Sequence, residues 1–497
     1  MVKNIFDIFK FNAINNPNHP AIILSNNKFI SYKNLLNDAE NLSYKLSTIG
    51  IRKDDPICII SEKSFEAYKL ILACIKIGAP YFFLDPDQPK QRMLEIIKIS
   101  QAKLILTEKK NNIQKSVLIK SLFTKKKFKK KLEIKESAFI NDAYYMFTSG
   151  SSGKPKGAII SQHNIKYLID WANYEYNFNN STIHTALNPI FFDNSVFDFY
   201  ATLGNGGTLV VLTNKEILDP QIVSRVLEKN KCNSWFSVPS LIKFYLSLKI
   251  FHKRNFKKLK RFIFGGEGFP TKQLKDLYNI YGNSKIYSNV YGPTECTCIC
   301  SSYDVKKEDM ISNNNFPPIG NLNYYFNGFL YDEIKKKSAK QGELVLLGPA
   351  VGKGYLENLD NSGFKINPIE KRYKEISYFT GDIMKYDKKK RLIFVSRKDN
   401  QIKHMGFRIE IEEIESRIRK IKFVDDVVIT FISNLNKSML LASIKTKKKI
   451  NLNYKKILPK YMTPKYTRLV KDLPKNKNGK FDRLKIRKDI TKFYREI

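Results

Sequence analysis

The sequence predicts an α/β protein: a large N-terminal domain of several subdomains, its sheets covered by helices, followed by a small α+β C-terminal domain. Three observations carry that reading. At 497 residues the chain has room for several domains of ordinary size. Up to about Arg397 short apolar runs alternate with helical patterns, the signature of helices packed on a largely parallel sheet. Beyond "RLIFVSRKDN" the pattern changes, which places a boundary near Arg397 to Asn400 and gives domains of 1–396 and 397–497.

The elements follow in order. In "SYKNLLNDAENLSYKLSTIGI", Leu35, Ala39, Leu42 and Leu46 recur at helical spacing and the pattern stops at Gly50. "PICII" reads as a short strand, and "SFEAYKLILACIKIGAPYFFLDPDQP" as a helix, a glycine stop and an apolar strand. The lysine-rich stretch from Glu108 to Glu136 reads as a solvated connector of uneven structure. "AYYMF" is a strand that ends in "TSGSSGKPKG". Alternation then resumes from "GGTLVVLT" to "KIYSNVYGPTE", with loops at strand ends, where open α/β sheets present ligand groups. In the C-terminal part, Ile411, Ile414, Ile418 and Ile421 share one helix face, and "VVITFI" and "SMLLASIK" read as strands.

Composition narrows the function classes. With 87 Lys+Arg against 47 Asp+Glu the formal net charge is +40. The lysines are spread along the chain with no nucleic-acid-binding signature to organise them, so a dedicated nucleic-acid function is not expected and an acidic partner is favoured. The N-terminus does not read as a signal peptide, and no apolar run approaches the length of a transmembrane helix, so a cytoplasmic protein with no membrane insertion is expected. "CTCIC" places Cys296, Cys298 and Cys300 on one face of an expected strand as reduced thiols. The histidines are scattered, so neither a zinc site nor a disulfide scaffold is expected.

The segment Thr148–Lys156 is rich in Gly, Ser, Thr and Lys, a composition that wraps phosphate: small residues let backbone N–H groups approach while hydroxyls and ammonium groups offset charge. It lacks the glycine spacing and the Lys-Ser/Thr pair of a P-loop. "FFDNS" offers Asp193, a carboxylate that needs a cationic partner if buried; a helix-capping role is the alternative.

Taken in order, "FTSGSSGKPKG", "FFDNS", "NVYGPTE", "GELVLLG", "YFTGD", "SRKDNQIKHMGFRIEIEEIE", "LPKYMTP" and "NGKFDR" resemble the adenylate-forming enzymes, which include the amino-acid adenylation domains of nonribosomal peptide synthetases and acyl-CoA synthetases. The resemblance runs from "ISYKNL" to "NGKFDR". It looks strongest to the stand-alone D-alanine–carrier protein ligases, through the "DW" of Asp170 and Trp171 and "GFRIEIEEIE".

The resemblance implies ATP and Mg²⁺ as cofactors and two half-reactions, adenylation of a free amino acid and its transfer to a phosphopantetheine thiol. Thr148, Ser149, Gly150, Ser151, Ser152 and Gly153, with Lys154 or Lys156, would hold the β- and γ-phosphates. Thr294 would touch the α-phosphate and Glu295 would ligate Mg²⁺. Asn289 and Tyr291 would lie along adenine, and Asp382 and Arg397 would reach the ribose. Asp193 would pair with the substrate ammonium, with Asn194, Phe197, Phe236, Gly265, Val290 and Cys298 as pocket walls. The D-alanine ligases normally carry cysteine at the position of Gly265, so glycine here is expected to open volume, which Phe197 and Phe236 could refill. Lys480 would bridge substrate carboxylate and α-phosphate from a small mobile domain that turns about Asp399.

Ser396 departs from the family's usual glycine and is expected to stiffen the hinge entry. Nothing resembling a carrier follows Lys480, so a monomer acting on a separate acidic carrier protein is expected. The rival readings are an acyl- or aryl-acid CoA ligase and a non-catalytic, nucleic-acid-binding scaffold. On this reading Lys480→Ala damages adenylation, measured as ATP–pyrophosphate exchange, far more than thioester formation from preformed adenylate.

Overall fold

The computed structural model describes residues 2–110, 113–123, 137–150, 153–311, 315–358, 363–370, 372–433, 438–448, 450, 452–475 and 481–495. Lys480, Ser151 and Ser152 lie outside them. The chain divides into two compact units, the first of residues 1–86, 97–146 and 157–398, the second of 87–96, 147–156 and 399–497.

Three sheets organise the first unit. Among the described residues the largest has nine strands, with Arg261–Gly265 between Ser234–Ser237 and Ile286–Tyr291 in parallel register, and Ser301–Asp304 antiparallel outside them. Six strands make a second sheet, in which Ile57–Ile60 lies parallel to Tyr81–Leu84 and to Leu104–Thr107. The third is antiparallel, with the long strand Ile376–Tyr386 between Gln341–Leu347 and Phe364–Ile366 and paired also with Leu392–Arg397. Strands buried on both faces are continuously apolar, as in "PICII" and "YFFL".

Local chemistry sets the element ends. The helix Tyr32–Thr48 starts where the Ser31 hydroxyl accepts the Asn34 N–H and buries Leu35, Ala39, Leu42 and Leu46. The helix Phe65–Ile77 ends at Gly78, whose φ of 70° is left-handed. The expected uneven connector contributes an edge strand, Ser116–Leu118, before residues that are not described.

The second unit has its own core. The helix Ile411–Arg419 buries Ile411, Ile414 and Ile418 against Val427, Ile429, Leu440 and Ala442 of the strands Asp426–Ser433 and Ser438–Lys445. Arg483 grips the buried carboxylate of Glu415 with two N–H groups, at 2.8 and 2.9 Å. No helix of the described residues is long and apolar enough to cross a membrane.

A polar island sits inside the first unit's aromatic core. His184 lies between Ser234 Oγ, at 2.8 Å, and Asp198 Oδ1, at 3.2 Å, and the Asn188 amide also donates to Asp198. Lys63 is buried nearby and donates to the carbonyl of Ala186 at 2.7 Å. Burial lowers the Lys63 ammonium to about 7 despite the pull of Asp198, and burial raises the Asp198 carboxyl despite His184; desolvation therefore outweighs pairing for both.

The sign of the pH dependence follows. Between about pH 7 and the usual lysine range the unfolded chain holds a proton that the folded chain has released, so stability rises with pH in that window. Below it both states are protonated and the cost is fully present. Lys63→Met should be more stable than the parent near neutrality and should lose a slope of about 1.4 kcal/mol per pH unit, measured by urea unfolding between about pH 7 and 9.

Candidate active site

Three carboxylates of the first unit, Glu295 and Asp382 buried and Asp193 half-buried, gather at the strand Ile286–Tyr291 and the loop after it. Asp382 is carried by the central strand of the antiparallel sheet, directly opposite Arg397. Its Oδ1 accepts from Arg397 Nη1 at 2.8 Å and its Oδ2 from the Tyr291 hydroxyl at 2.5 Å. Arg397 Nη1 also donates to the carbonyl of Thr380, at 2.8 Å, which fixes the guanidinium. The structure thus brings together Tyr291, Asp382 and Arg397, three residues expected around adenosine. A carboxylate has about four acceptor positions, so Asp382 retains capacity for hydroxyl donors. Asn289 is tied by its amide to the carbonyl of Pro318 at 2.8 Å.

Glu295 is completely buried, and its Oε1 accepts from the Tyr355 hydroxyl at 2.5 Å. Asp193 Oδ2 accepts from Thr294 Oγ1, also at 2.5 Å. Asp193 stands where a helical turn begins but makes no capping hydrogen bond, so the capping alternative fails. Its side chain is turned across to the 294–295 loop, 101 residues away in sequence.

The "CTCIC" expectation is corrected. Thr294–Cys296 form a 3-10 turn, and Thr297 and Cys298 have φ of 54° and 73°, so this is a left-handed reversal and not a strand. Alternating Cys and apolar residues imitate a strand because the thiols are buried in the turn. The reversal aims Cys298 Sγ at Asn194 Oδ1, 3.7 Å away.

The pocket walls also differ from expectation at Gly265. A Cβ there would lie 2.5 Å from Val290 Cγ2 and 2.6 Å from the Val290 carbonyl on the neighbouring strand. Glycine is required by this close approach, and Val290 already fills the space that a missing side chain was expected to open. Phe197 and Phe236 are fully buried and meet edge to face at 5.3 Å, and Trp171 of the "DW" pair packs 6.2 Å from Phe197. Phe197 opens a π-helical turn, Phe197–Ala201, that also carries Asp198. Tyr355, Asn188 and the His184–Asp198 pair were not singled out by the sequence. Their partners are 10 to 60 residues away, and no local spacing signals such contacts.

In the second unit, Gly150 approaches Gly153 and Lys154 closely. Gly153 N–H donates to the Gly150 carbonyl at 2.9 Å, and a Cβ on Gly150 would meet the Lys154 carbonyl at 2.1 Å. Ser149, expected to offer its hydroxyl to phosphate, instead donates to the Arg408 carbonyl at 3.0 Å and accepts from Glu410 N–H at 2.9 Å. The strand Phe407–Glu410 thereby holds the base of the loop. Burial raises the Glu410 carboxyl against the pull of Arg408 and Lys156. Asp399 precedes the hairpin and accepts from Gln401 N–H at 3.2 Å.

Comparison with known proteins places this geometry. The family model described as AMP-binding enzyme matches residues 9–356. A D-alanine–D-alanyl carrier protein ligase of Bacillus licheniformis is 28% identical, over 93% of this chain and 95% of that protein. The ligase of the same name from Bacillus velezensis is 30% identical, over 84% and 86%. Bacitracin synthase 1 is 28% identical over 97% of this chain, which spans 9% of that much longer protein.

Among solved structures, the Vibrio cholerae adenylation domain AlmE, in complex with glycyl-adenosine-5′-phosphate, superposes with a TM-score of 0.80 at 21% identity, covering 99% of this chain and 98% of that one. The o-succinylbenzoate CoA synthetase of Bacillus subtilis gives 0.85 at 18% identity, covering 98% of each. Both share the fold of the adenylate-forming enzymes. Ordered motifs, a matching fold and a family match across most of the chain agree: this protein belongs to the AMP-binding, adenylate-forming enzyme family and is a ligase of that type.

Proposed function

We propose that the protein activates a free amino acid with ATP and loads it on the phosphopantetheine thiol of a separate carrier protein. The observation that carries this reading is Asp193. Its carboxylate is held by Thr294 rather than spent on a helix cap, at the point where an α-ammonium would have to be matched. A carboxylate at this point suits an α-ammonium, which an amine-free acid does not bring.

In adenylation the substrate carboxylate attacks the α-phosphorus and pyrophosphate leaves. In transfer the carrier thiolate attacks the acyl carbon and AMP leaves. Asp382 and Arg397 would hold the ribose, with Tyr291 and Asn289 beside adenine, and Thr294 would turn its hydroxyl from Asp193 to the α-phosphate when ATP binds. Glycine backbone, Thr148, Ser151, Ser152 and Lys154 or Lys156 would cradle the outgoing phosphates, with Ser149 anchoring the loop. Glu295 suits Mg²⁺, which binds through one or two carboxylates together with phosphate oxygens and water. The metal would offset charge on the phosphates. Lys480 would approach the reacting carboxylate. The relatives named as carrier protein ligases support a carrier as acceptor, and the +40 charge of this chain favours encounter with an acidic one.

Gly265→Ala should cost about 1–3 kcal/mol of unfolding free energy, because the new methyl meets backbone that cannot yield.

The function is tested by ATP–pyrophosphate exchange over L- and D-amino acids and simple carboxylic acids, with Lys480→Ala and Asp193→Ala as controls. The expected result is exchange with one or a few amino acids. Lys480→Ala should abolish it, and Asp193→Ala should reduce it at least about a hundredfold, as for an unpaired buried charge. Exchange only with amine-free acids would move the protein to the CoA ligases.

A further inference from the structure

Next to the segment that carries Asp193, the first unit holds a small cleft of about 20 Å³, room for one group the size of a water or an ammonium. Its walls are mostly aromatic and include Tyr81, Tyr144 and Tyr200, and Ile190, Ser195 and Val196 from either side of Asp193 also line it. Tyr81 and Tyr200 satisfy one another, meeting oxygen to oxygen at 2.9 Å. Tyr144 does not share in this. Its residue is 1% exposed, and its hydroxyl has no hydrogen-bond partner among the described residues.

An orphaned buried hydroxyl is a cost that phenylalanine would avoid. The same walls use Phe82, Phe83 and Met146 where packing alone is needed. Burial raises the Tyr144 phenol well above its usual range, with Tyr81, Cys298 and Asp193 adding to it, so the group stays neutral at working pH. A neutral phenol in a cleft that residues on either side of Asp193 also line can accept from the cationic end of a ligand.

We propose that Tyr144 is a second recognition residue for the substrate ammonium: Asp193 matches its charge and accepts one N–H, and the Tyr144 phenol oxygen accepts another. The inference rests on the amino-acid reading given above. It extends that reading by assigning the ammonium two ligands from different segments, the strand Asp142–Thr148 and the turn at 193. A rigid phenol on a strand fixes the direction of the second N–H, and so the orientation of the Cα–N bond, which a single carboxylate does not.

The test is Tyr144→Phe in the full chain, read by amino-acid-dependent ATP–pyrophosphate exchange with the amino acid that the parent uses. The KM for that amino acid should rise about tenfold, the loss of one hydrogen bond to a charged group, while the KM for ATP stays unchanged. The desamino analogue, measured as substrate or competitive inhibitor, should bind parent and variant equally. The thermal midpoint of the ligand-free variant should be unchanged or raised, since an unsatisfied hydroxyl has been removed; a merely structural tyrosine would lower it. An unchanged amino-acid KM, or an equal loss for the desamino analogue, overturns the inference and leaves the proposed function standing. Parent protein silent with every amino acid removes both.

Discussion

Carboxylates taken out of water are the constraint around which the first unit is built. Asp193, Glu295 and Asp382 are each met at 2.5 Å by a hydroxyl, from Thr294, Tyr355 and Tyr291. A hydroxyl orients a carboxylate and relieves part of its desolvation, but it does not discharge it. A charge held in a low-dielectric setting is felt more strongly than in water. At Asp382 the charge is shared with Arg397. At Asp193 and Glu295 the proposed ligands, an ammonium and a metal, are cations.

Supporting these groups takes polar structure deeper in the core. His184, Asn188, Ser234 and Asp198 lie behind Phe197 and Phe236, and Lys63 is held nearby with a depressed affinity for its proton. A purely apolar core would be more stable, so this island trades stability for a fixed geometry at the turn that carries Phe197.

Much of the framework was legible because period and punctuation agreed with the final packing. Leu35, Ala39, Leu42 and Leu46 form a buried stripe, and Gly78 ends its helix in the left-handed region. The isoleucine face at 411, 414 and 418 became the core of the second unit. Legibility failed where a contact is set by a distant partner. Whether glycine at 265 opens or closes space depends on where Val290 points, and nothing near 265 encodes that. The reversal at Thr297 and Cys298 uses positive φ without glycine, so it leaves no trace in composition and its alternation resembles a strand. Tyr355 reaches Glu295 from 60 residues away, and Ser149 is claimed by the backbone of Arg408 and Glu410, neither of which a motif describes.

The π-helical turn at Phe197–Ala201 has an evolutionary consequence. Such a turn accommodates one more residue than an α-helical turn in the same length of axis. Deleting a single residue there would restore the α-helical period and rotate Phe197 and Asp198 by roughly a hundred degrees about the helix, while the flanking sheet strands keep their register. With Phe197 in its proposed place at the substrate, a changed pocket wall is reachable through one in-frame codon loss, a route that surveys of point substitutions never sample.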